Sequence, residues 1–216
     1  MYDGTQTNHK FHLSGRIGSR KWLCLGHVDN AEAFRGSHEA TIRVREAGCT
    51  ASDGFDKYAV TYDRCWHLDR EKDQCDCAWL LVYSLRPKVI HYGTPCTKMC
   101  LIGNRVLDDA TRAQNEFTEK GAKHQQAERL GVSIENPKGS SLFKQPQYVA
   151  TFGEPTKPKP GWSFYTSEGC QLKVVYPGHD DPGIPIRKSA VWIAIFDMSA
   201  CELHCRQPAA LAGSSH

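Results

Sequence analysis

The segment from Cys75 to Cys100 constrains the fold most, because the most apolar part of the chain lies there between closely spaced cysteines. Residues 78–83 form an unbroken apolar run that is too short for a buried helix and rich in residues that favour strands. This pattern predicts a central β-strand that is covered on both faces. Pro87 interrupts the run, because proline cannot donate a hydrogen bond to a sheet, and Lys88 to Tyr92 predicts a second strand or the far side of a bend.

The chain contains ten cysteines in 216 residues. A domain of this length buries roughly 70% of its unfolded surface, so it does not need cross-links to form a core. Reducing compartments rarely maintain so many cysteines unless these bind metal or do redox work, whereas secreted proteins routinely pair them. The sequence therefore predicts a disulfide-stabilised protein that is secreted and acts in the extracellular space.

A zinc site is the alternative use of these cysteines. Candidate thiolate and imidazole ligands occur close together at Cys65 and His67, Cys75 and Cys77, Cys96 and Cys100, and His204 and Cys205. The usual pairs of cysteines separated by two residues are absent, and the gaps between the pairs match no common zinc finger. We therefore expect no bound metal and keep a zinc-held intracellular module as the third interpretation.

The charge pattern argues against a nucleic-acid partner. The chain has 27 basic and 24 acidic residues, a net charge of +3, and its basic residues are scattered among acidic ones. No stretch approaches the apolar length needed to cross a bilayer, so we expect no membrane span. Residues 1–10 are polar and unlike the start of a signal peptide, which was either removed or never present.

The remaining pattern predicts short strands with one or two surface helices. Ser37 to Ala47 has helical spacing, with a strand as the competing interpretation. Asp108 is the expected N-cap of the longest helix, in which Gly121 either breaks the helix or allows a close approach. Trp162 to Thr166 and Ala190 to Phe196 predict later strands. We therefore predict an α+β fold with a mainly antiparallel β-sheet core.

Composition divides the chain into a flexible arm at residues 1–20, a single disulfide-tied domain at residues 21–206 and a tail at residues 207–216. Residues 153–161 are rich in proline and predict a stiff loop within that domain. Seven cysteines precede the proline-rich segment and three follow it. If all of them pair, at least one bridge crosses the loop, which favours one unit over two.

Several motifs occur in an order that resembles the mono-ADP-ribosyltransferase toxins of the heat-labile enterotoxin A-chain type. They are Ala33-Phe34-Arg35-Gly36-Ser37, then Trp79-Leu80-Leu81-Val82-Tyr83, then Gln114-Asn115-Glu116-Phe117. The resemblance implies that Glu116 is the catalytic carboxylate, that Gln114 faces the acceptor group and that Arg35 holds NAD. A carboxylate suits that reaction, because cleavage at the ribose creates an electron-poor centre that a negative charge stabilises.

The cysteine pattern also resembles the loose framework of small secreted fungal effectors. It comprises Trp22 and Cys24, Cys49 followed by Gly54, and then Cys65 and Cys75. This second resemblance implies a non-catalytic protein that binds a host protein or ligand. The sequence therefore predicts a secreted effector or toxin-like protein, with an NAD-using transferase as the specific interpretation and a binding protein as the alternative.

Overall fold

The structure is a computed structural model that describes residues 27–34, 36, 39–96, 98–99, 107–168 and 189–195. Its helices are α1 (Glu39–Glu46), α2 (Glu71–Trp79), α3 (Asp109–Ala127) and α4 (Pro146–Phe152). Its strands are β1 (Asn30–Ala33), β2 (Val89–Tyr92), β3 (Gly131–Pro137), β4 (Gly153–Glu154), β5 (Lys157–Pro158), β6 (Ser163–Glu168) and β7 (Ser189–Ile195). A π-helical turn (Leu80–Leu85) continues α2, and a 3-10 turn (Leu142–Lys144) precedes α4.

Five strands form one sheet in the order β1-β2-β3-β7-β6. The first three run parallel, whereas β7 is antiparallel to both β3 and β6. Bridges from Asn30 to Ala51 and from Ala33 to Phe55 place residues 51–55 beside β1, also parallel. The prediction of a mainly antiparallel core is therefore wrong. The centre of the sheet is parallel because helical crossovers return the chain to the same edge before each new strand.

One face of the parallel strands forms the core together with α2, its π-helical turn and α3. Six side chains lie in register on that face and are buried: Ala31, Ile90, Val132, Ala33, Tyr92 and Ile134. Phe117 of α3 packs edge-on against the Tyr92 ring, with 6.3 Å between ring centroids. Because helices cover this face, the strands carry apolar residues there, as parallel strands usually do.

Residues 78–83, expected to be a central strand, instead end α2 and begin the π-helical turn. Leu80, Leu81 and Leu85 are buried, whereas Tyr83 is 59% exposed, so the segment is buried on one side only. Periodicity cannot separate a short buried helix from a short buried strand, which explains the error. Arg86 ends the helix in the left-handed conformation, with φ of 43°, and the predicted strand after Pro87 is present as β2.

No disulfide bond joins the cysteines in the described part of the chain, so the prediction of a disulfide-stabilised fold is also wrong. Cys65, Cys75 and Cys77 carry free thiols. Cys77 is fully buried, and burial raises the pKa of its thiol, so this side chain packs as a small apolar group. The cysteines outside the described residues are Cys24, Cys100, Cys170, Cys201 and Cys205.

The other elements follow the sequence more closely. Asp108 caps α3 by accepting a hydrogen bond from Thr111 N at 2.8 Å, and the helix continues through Gly121 without a break. The segment with two competing interpretations is helical and forms α1. The two late strands are present as β6 and β7, and the proline-rich loop contains the short hairpin β4–β5.

The predicted arm and tail, residues 1–20 and 207–216, lie outside the described part of the chain. β6 and β7 follow the proline-rich loop yet complete the same sheet as β1, β2 and β3. In the described ranges, every helix is too short or too polar to cross a bilayer.

Candidate functional site

The connections of the sheet diverge beside β1. From β1 the chain passes through α1 to residues 51–55 on one side, and then through α2 to β2 on the other side. In open parallel sheets, ligands bind outside the carboxyl ends of the strands at such a point. We call the region beyond Ala33 and Tyr92, the last residues of β1 and β2, the switch-point edge.

The backbone segments that leave β1 and β2 lie very close together at the switch-point edge. Gly93 N donates a hydrogen bond to Ala33 O at 3.0 Å, and a Cβ atom on Gly93 would lie 2.8 Å from Phe34 O. A side chain there would force the backbone apart, so glycine is required. Phe34 and Gly36 have positive φ angles of 58° and 50°, which turn the chain sharply out of β1.

A carboxylate stands at the end of the neighbouring parallel segment. Asp56 directly follows Phe55, and its Oδ2 accepts a hydrogen bond from Gly36 N at 3.4 Å. Its Oδ1 accepts a second hydrogen bond from Tyr58 N at 2.8 Å, which fixes the carboxylate. In dinucleotide-binding sheets, an acidic residue about 20 positions after the first strand–helix turn binds the ribose hydroxyl groups. Asp56 occupies that place.

Cys96 lies in the loop that leaves β2. The loop runs Gly93-Thr94-Pro95-Cys96, and the Cys96 side chain is half-buried. Met99 N donates a hydrogen bond to Cys96 O at 2.8 Å, which closes a turn at this position. A half-buried thiol at the carboxyl end of a parallel strand can reach a ligand in the crevice, and thiols are strong nucleophiles once ionised.

Glu135 lies near the carboxyl end of β3, the strand next to β2. Tyr92 of β2 pairs with Ile134 of β3, so Glu135 comes one residue beyond the end of that ladder. The next residue, Asn136, donates a hydrogen bond from Nδ2 to Thr94 O at 2.7 Å and so links the two strand ends. A thiol and a carboxyl group therefore leave adjacent parallel strands at the same edge.

The opposite face of the same strands carries a row of polar side chains in register: Glu32, His91 and Ser133. Glu32 is buried and accepts hydrogen bonds from Thr41 N at 3.1 Å and Thr41 Oγ1 at 2.6 Å, which fastens α1 to β1. His91 Nδ1 and Ser133 Oγ lie 2.8 Å apart. Burial lowers the pKa of His91 to about 4, so its ring is neutral at pH 7.

Of the residues predicted from the toxin resemblance, the structure describes Gln114 and Glu116, and both lie in α3. Glu116 is on the solvent side of α3, where its carboxylate is 3.6 Å from Lys120 Nζ. Gln114 is half-buried in the same helix, and its carbonyl accepts a hydrogen bond from Thr118 Oγ1 at 3.0 Å. Residues two apart on a helix point to different sides. Arg35 lies outside the described residues, so its contact with NAD stays a prediction.

The zinc alternative finds no support in the described part of the chain, where no group of three or more histidine, cysteine or acidic side chains is placed to hold a metal ion. The functional signal that sequence reasoning missed is the tripeptide Thr94-Pro95-Cys96 directly after a strand. A second signal is Glu135-Asn136-Pro137 at the end of the next strand. The sequence analysis predicts a cross-link or a metal pair for Cys96, whereas the structure places it in the loop after β2.

A scan against models of protein families gives no match for this chain, and a search of curated proteins gives none either. Function is therefore inferred from the geometry of the switch-point edge and the chemistry of its side chains.

Proposed function

We propose that this chain is a methyltransferase domain that binds S-adenosylmethionine at the switch-point edge and methylates a pyrimidine base. The observation that carries the proposal is the position of Cys96 and Glu135, a thiol and a carboxyl group, at the carboxyl ends of the adjacent parallel strands β2 and β3. Asp56 supplies the group for a ribose at the same edge.

The loop after β1 favours a nucleoside cofactor without phosphates. Its sequence, Phe34-Arg35-Gly36-Ser37-His38, contains one glycine, whereas pyrophosphate-binding loops use three so that backbone N–H groups can approach the phosphates. Asp56 still offers a carboxylate to ribose hydroxyl groups. S-adenosylmethionine has an adenosine and no pyrophosphate, so it fits these two features better than NAD does.

The strand directions support the same conclusion by fold analogy. In the described sheet β7 alone is reversed, and it lies between β3 and β6. Parallel strands extended by one reversed strand in the penultimate position are the arrangement found in S-adenosylmethionine-dependent methyltransferases. Because one fold can carry several functions, the analogy supports the cofactor and leaves the reaction to the side chains.

The thiol indicates which kind of acceptor is methylated. The cofactor supplies an electrophilic methyl group on a sulfonium sulfur. Nitrogen and oxygen acceptors attack such a methyl group directly, whereas C5 of a pyrimidine is not nucleophilic by itself. Addition of the Cys96 thiolate to C6 of a cytosine, with a proton given to N3 by the carboxyl group of Glu135, makes C5 an enamine carbon that can accept the methyl group.

The cycle closes without any further reagent. After methyl transfer, the proton on C5 is removed by a base, and the electrons of that bond expel the Cys96 thiolate from C6. N3 returns its proton to the Glu135 carboxylate. The products are the methylated pyrimidine, S-adenosylhomocysteine and the C5 proton, which passes to solvent, and both side chains return to their starting states. Cys96 is therefore a nucleophile, and Glu135 a general acid that is regenerated in each turnover.

This proposal changes two expectations from composition. A base in a polynucleotide becomes the partner, which needs one extruded base and not a strongly basic surface. The free thiols of Cys65, Cys75 and Cys77 favour a reducing compartment over secretion. The NAD-using transferase and the host-binding effector stay untested predictions, and no contact of Gln114 or Glu116 described above favours them.

Transfer of tritium-labelled methyl groups from S-adenosylmethionine to DNA and RNA substrates tests the proposal. We expect incorporation by the unaltered chain, loss of at least about 100-fold in Cys96→Ser, and a loss of similar order in Glu135→Gln. Cys65→Ser is the matched control and should retain activity. DNA containing 5-fluorocytosine should trap a covalent adduct, because fluorine at C5 cannot leave as a proton does.

Two results would overturn the proposal. One is failure of S-adenosylmethionine to bind the purified chain in calorimetry. The other is methyl transfer that survives Cys96→Ser, which would leave a methyltransferase but remove the thiol mechanism. NAD hydrolysis that is lost in Glu116→Gln would instead favour the transferase predicted from the sequence.

A further inference from the structure

The loop that carries Cys96 is held on both sides of the cysteine by buried amide side chains. Before the cysteine, Asn136 Nδ2 donates a hydrogen bond to Thr94 O at 2.7 Å. After it, Asn115 Nδ2 of α3 lies 3.6 Å from Met99 Sδ, within hydrogen-bond range for sulfur. Asn115 and Asn136 are both completely buried. Two different elements, α3 and β3, therefore fix the loop on either side of the cysteine.

Further contacts tie the same loop to the core. Ser141 N donates a hydrogen bond to Met99 O at 2.8 Å, and the hydroxyl groups of Thr94 and Thr118 are 3.4 Å apart. Tyr148 donates a hydrogen bond to Asn115 O at 3.4 Å. The loop backbone is thus held by the segment after β3, the loop side chains contact α3, and Tyr148 of α4 holds Asn115 in turn.

Burial of the Asn115 and Asn136 side chains lowers the stability of the fold. Among the described residues, no donor satisfies Asn115 Oδ1 or Asn136 Oδ1, and an unsatisfied buried oxygen destabilises the fold. A leucine of similar volume would avoid that cost. Asparagine at both positions is therefore better explained by what its Nδ2 group holds than by a contribution to global stability.

We propose that Asn136 and Asn115 are positioning residues that hold the Cys96 thiol in its reactive place. The inference rests on the proposed role of Cys96 as nucleophile. Asn136 fixes the carbonyl two residues before the cysteine, and Asn115 fixes the side chain three residues after it. Neither amide touches the reacting atoms. A displacement of a reacting group by about 1 Å can cost about 100-fold in rate, so loss of either restraint reduces catalysis.

Gln125 provides a matched control. It is 2% exposed, lies in α3, and donates a hydrogen bond from Nε2 to Gly131 O at 2.9 Å, so it makes the same kind of buried amide-to-carbonyl bond. Gly131 is the first residue of β3, so it lies at the amino end of the strand, whereas Cys96 follows the carboxyl end of β2. Gln125→Met and Asn136→Leu remove comparable groups, and only the second change loosens the Cys96 loop.

The experiment measures two quantities on the full chain, each for Asn136→Leu, Asn115→Leu and Gln125→Met. The first is the rate at which iodoacetamide alkylates Cys96, mapped by mass spectrometry and divided by the rate for Cys75. The second is kcat and KM for methyl transfer. We expect both asparagine variants to show a rise of at least about 5-fold in relative Cys96 alkylation and a loss of about 10- to 100-fold in kcat, with KM for S-adenosylmethionine within about 2-fold. Gln125→Met should change neither quantity.

The outcomes separate this inference from the proposed function. If the asparagine variants behave like Gln125→Met while remaining folded by urea unfolding, the positioning role is wrong. If relative alkylation changes as expected but the unaltered chain transfers no methyl group, the loop restraint stands and the methyltransferase proposal fails. If kcat falls only in proportion to the folded fraction, the amides are merely structural and the inference is overturned.

Discussion

Gly121 marks the tightest contact between α3 and the sheet. A Cβ atom at this position would lie 2.0 Å from the hydroxyl oxygen of Tyr92 and 2.9 Å from Cζ of the same ring. The ring has little room to withdraw, since Tyr92 is 1% exposed and Phe117 packs against it edge-on. Glycine is therefore needed in mid-helix to let the aromatic ring reach the helix backbone.

Two opposing effects determine the result of Gly121→Ala. In an exposed helix, alanine stabilises by about 1 kcal/mol relative to glycine. Overpacking of a core costs about 1–3 kcal/mol, and an overlap with both the hydroxyl and Cζ of a buried ring belongs at the upper end of that range. The net expectation is a loss of about 2 kcal/mol, equivalent to a decrease of about 4–8 °C in Tm for a chain of this length.

Urea unfolding of Gly121→Ala, Tyr92→Phe and the double variant measures this balance. Tyr92→Phe removes the oxygen that makes the closest contact, so the alanine should cost less in that background. We expect a coupling free energy of at least about 1 kcal/mol in the double-mutant cycle. An increase in stability for Gly121→Ala alone would show that helix propensity dominates and would refute the close contact.

Two pH-dependent predictions follow from buried or paired groups. Burial lowers the pKa of His91 from 6.5 to about 4, so on acidification the unfolded chain binds a proton before the folded chain does. The free energy of unfolding therefore falls as pH decreases from 6.5 to 4, by up to about 3 kcal/mol. In urea unfolding, His91→Gln should lack this pH dependence. The pKa of Asp29 is lowered from 3.8 to about 2, and the largest cause is the hydrogen bond with Lys88. This pair therefore stabilises the fold above pH 3.8, and its contribution disappears as pH falls through 2. Because the Lys88 side chain is 56% exposed, Asp29→Asn should cost only about 1 kcal/mol at pH 7, and a constant difference down to pH 2 would contradict the assignment.

Local signals in the sequence predicted local structure well. Asp108 preceded a helix with the expected spacing, and the structure begins α3 there. The strand after Pro87 is present as β2, because a proline that cannot donate leaves the following apolar residues free to begin a new element. Gly121 was expected either to break α3 or to allow a close approach, and the Tyr92 ring shows that the second holds.

The direction of the strands could not be read in the same way. Whether two strands pair parallel or antiparallel depends on the connection between them, and the connection before β2 is α2 with its π-helical turn. Residues 78–83 in that connection were read as a strand, since an unbroken apolar run of this length has no distinguishing period. With a strand at these residues the sequence shows no helical crossover before β2, so the parallel pairing of β1 and β2 has no local signal. The switch-point edge depends on that crossover, so it could not be predicted either.

Cys77 and Cys96 have different surroundings, which a count of ten cysteines could not distinguish. Cys77 faces the core from α2, where burial raises its pKa, and a thiol held protonated is a poor nucleophile. Cys96 is half-buried in the first loop after a parallel strand, where a ligand can reach it. A nucleophile must contact its substrate, and ligands bind at the carboxyl ends of parallel strands. The position of a thiol relative to those ends therefore matters more than its spacing from other cysteines. The proposed role of the Cys96 thiol therefore depends on the topology, which places β2 beside β3 with Glu135 on the neighbouring strand.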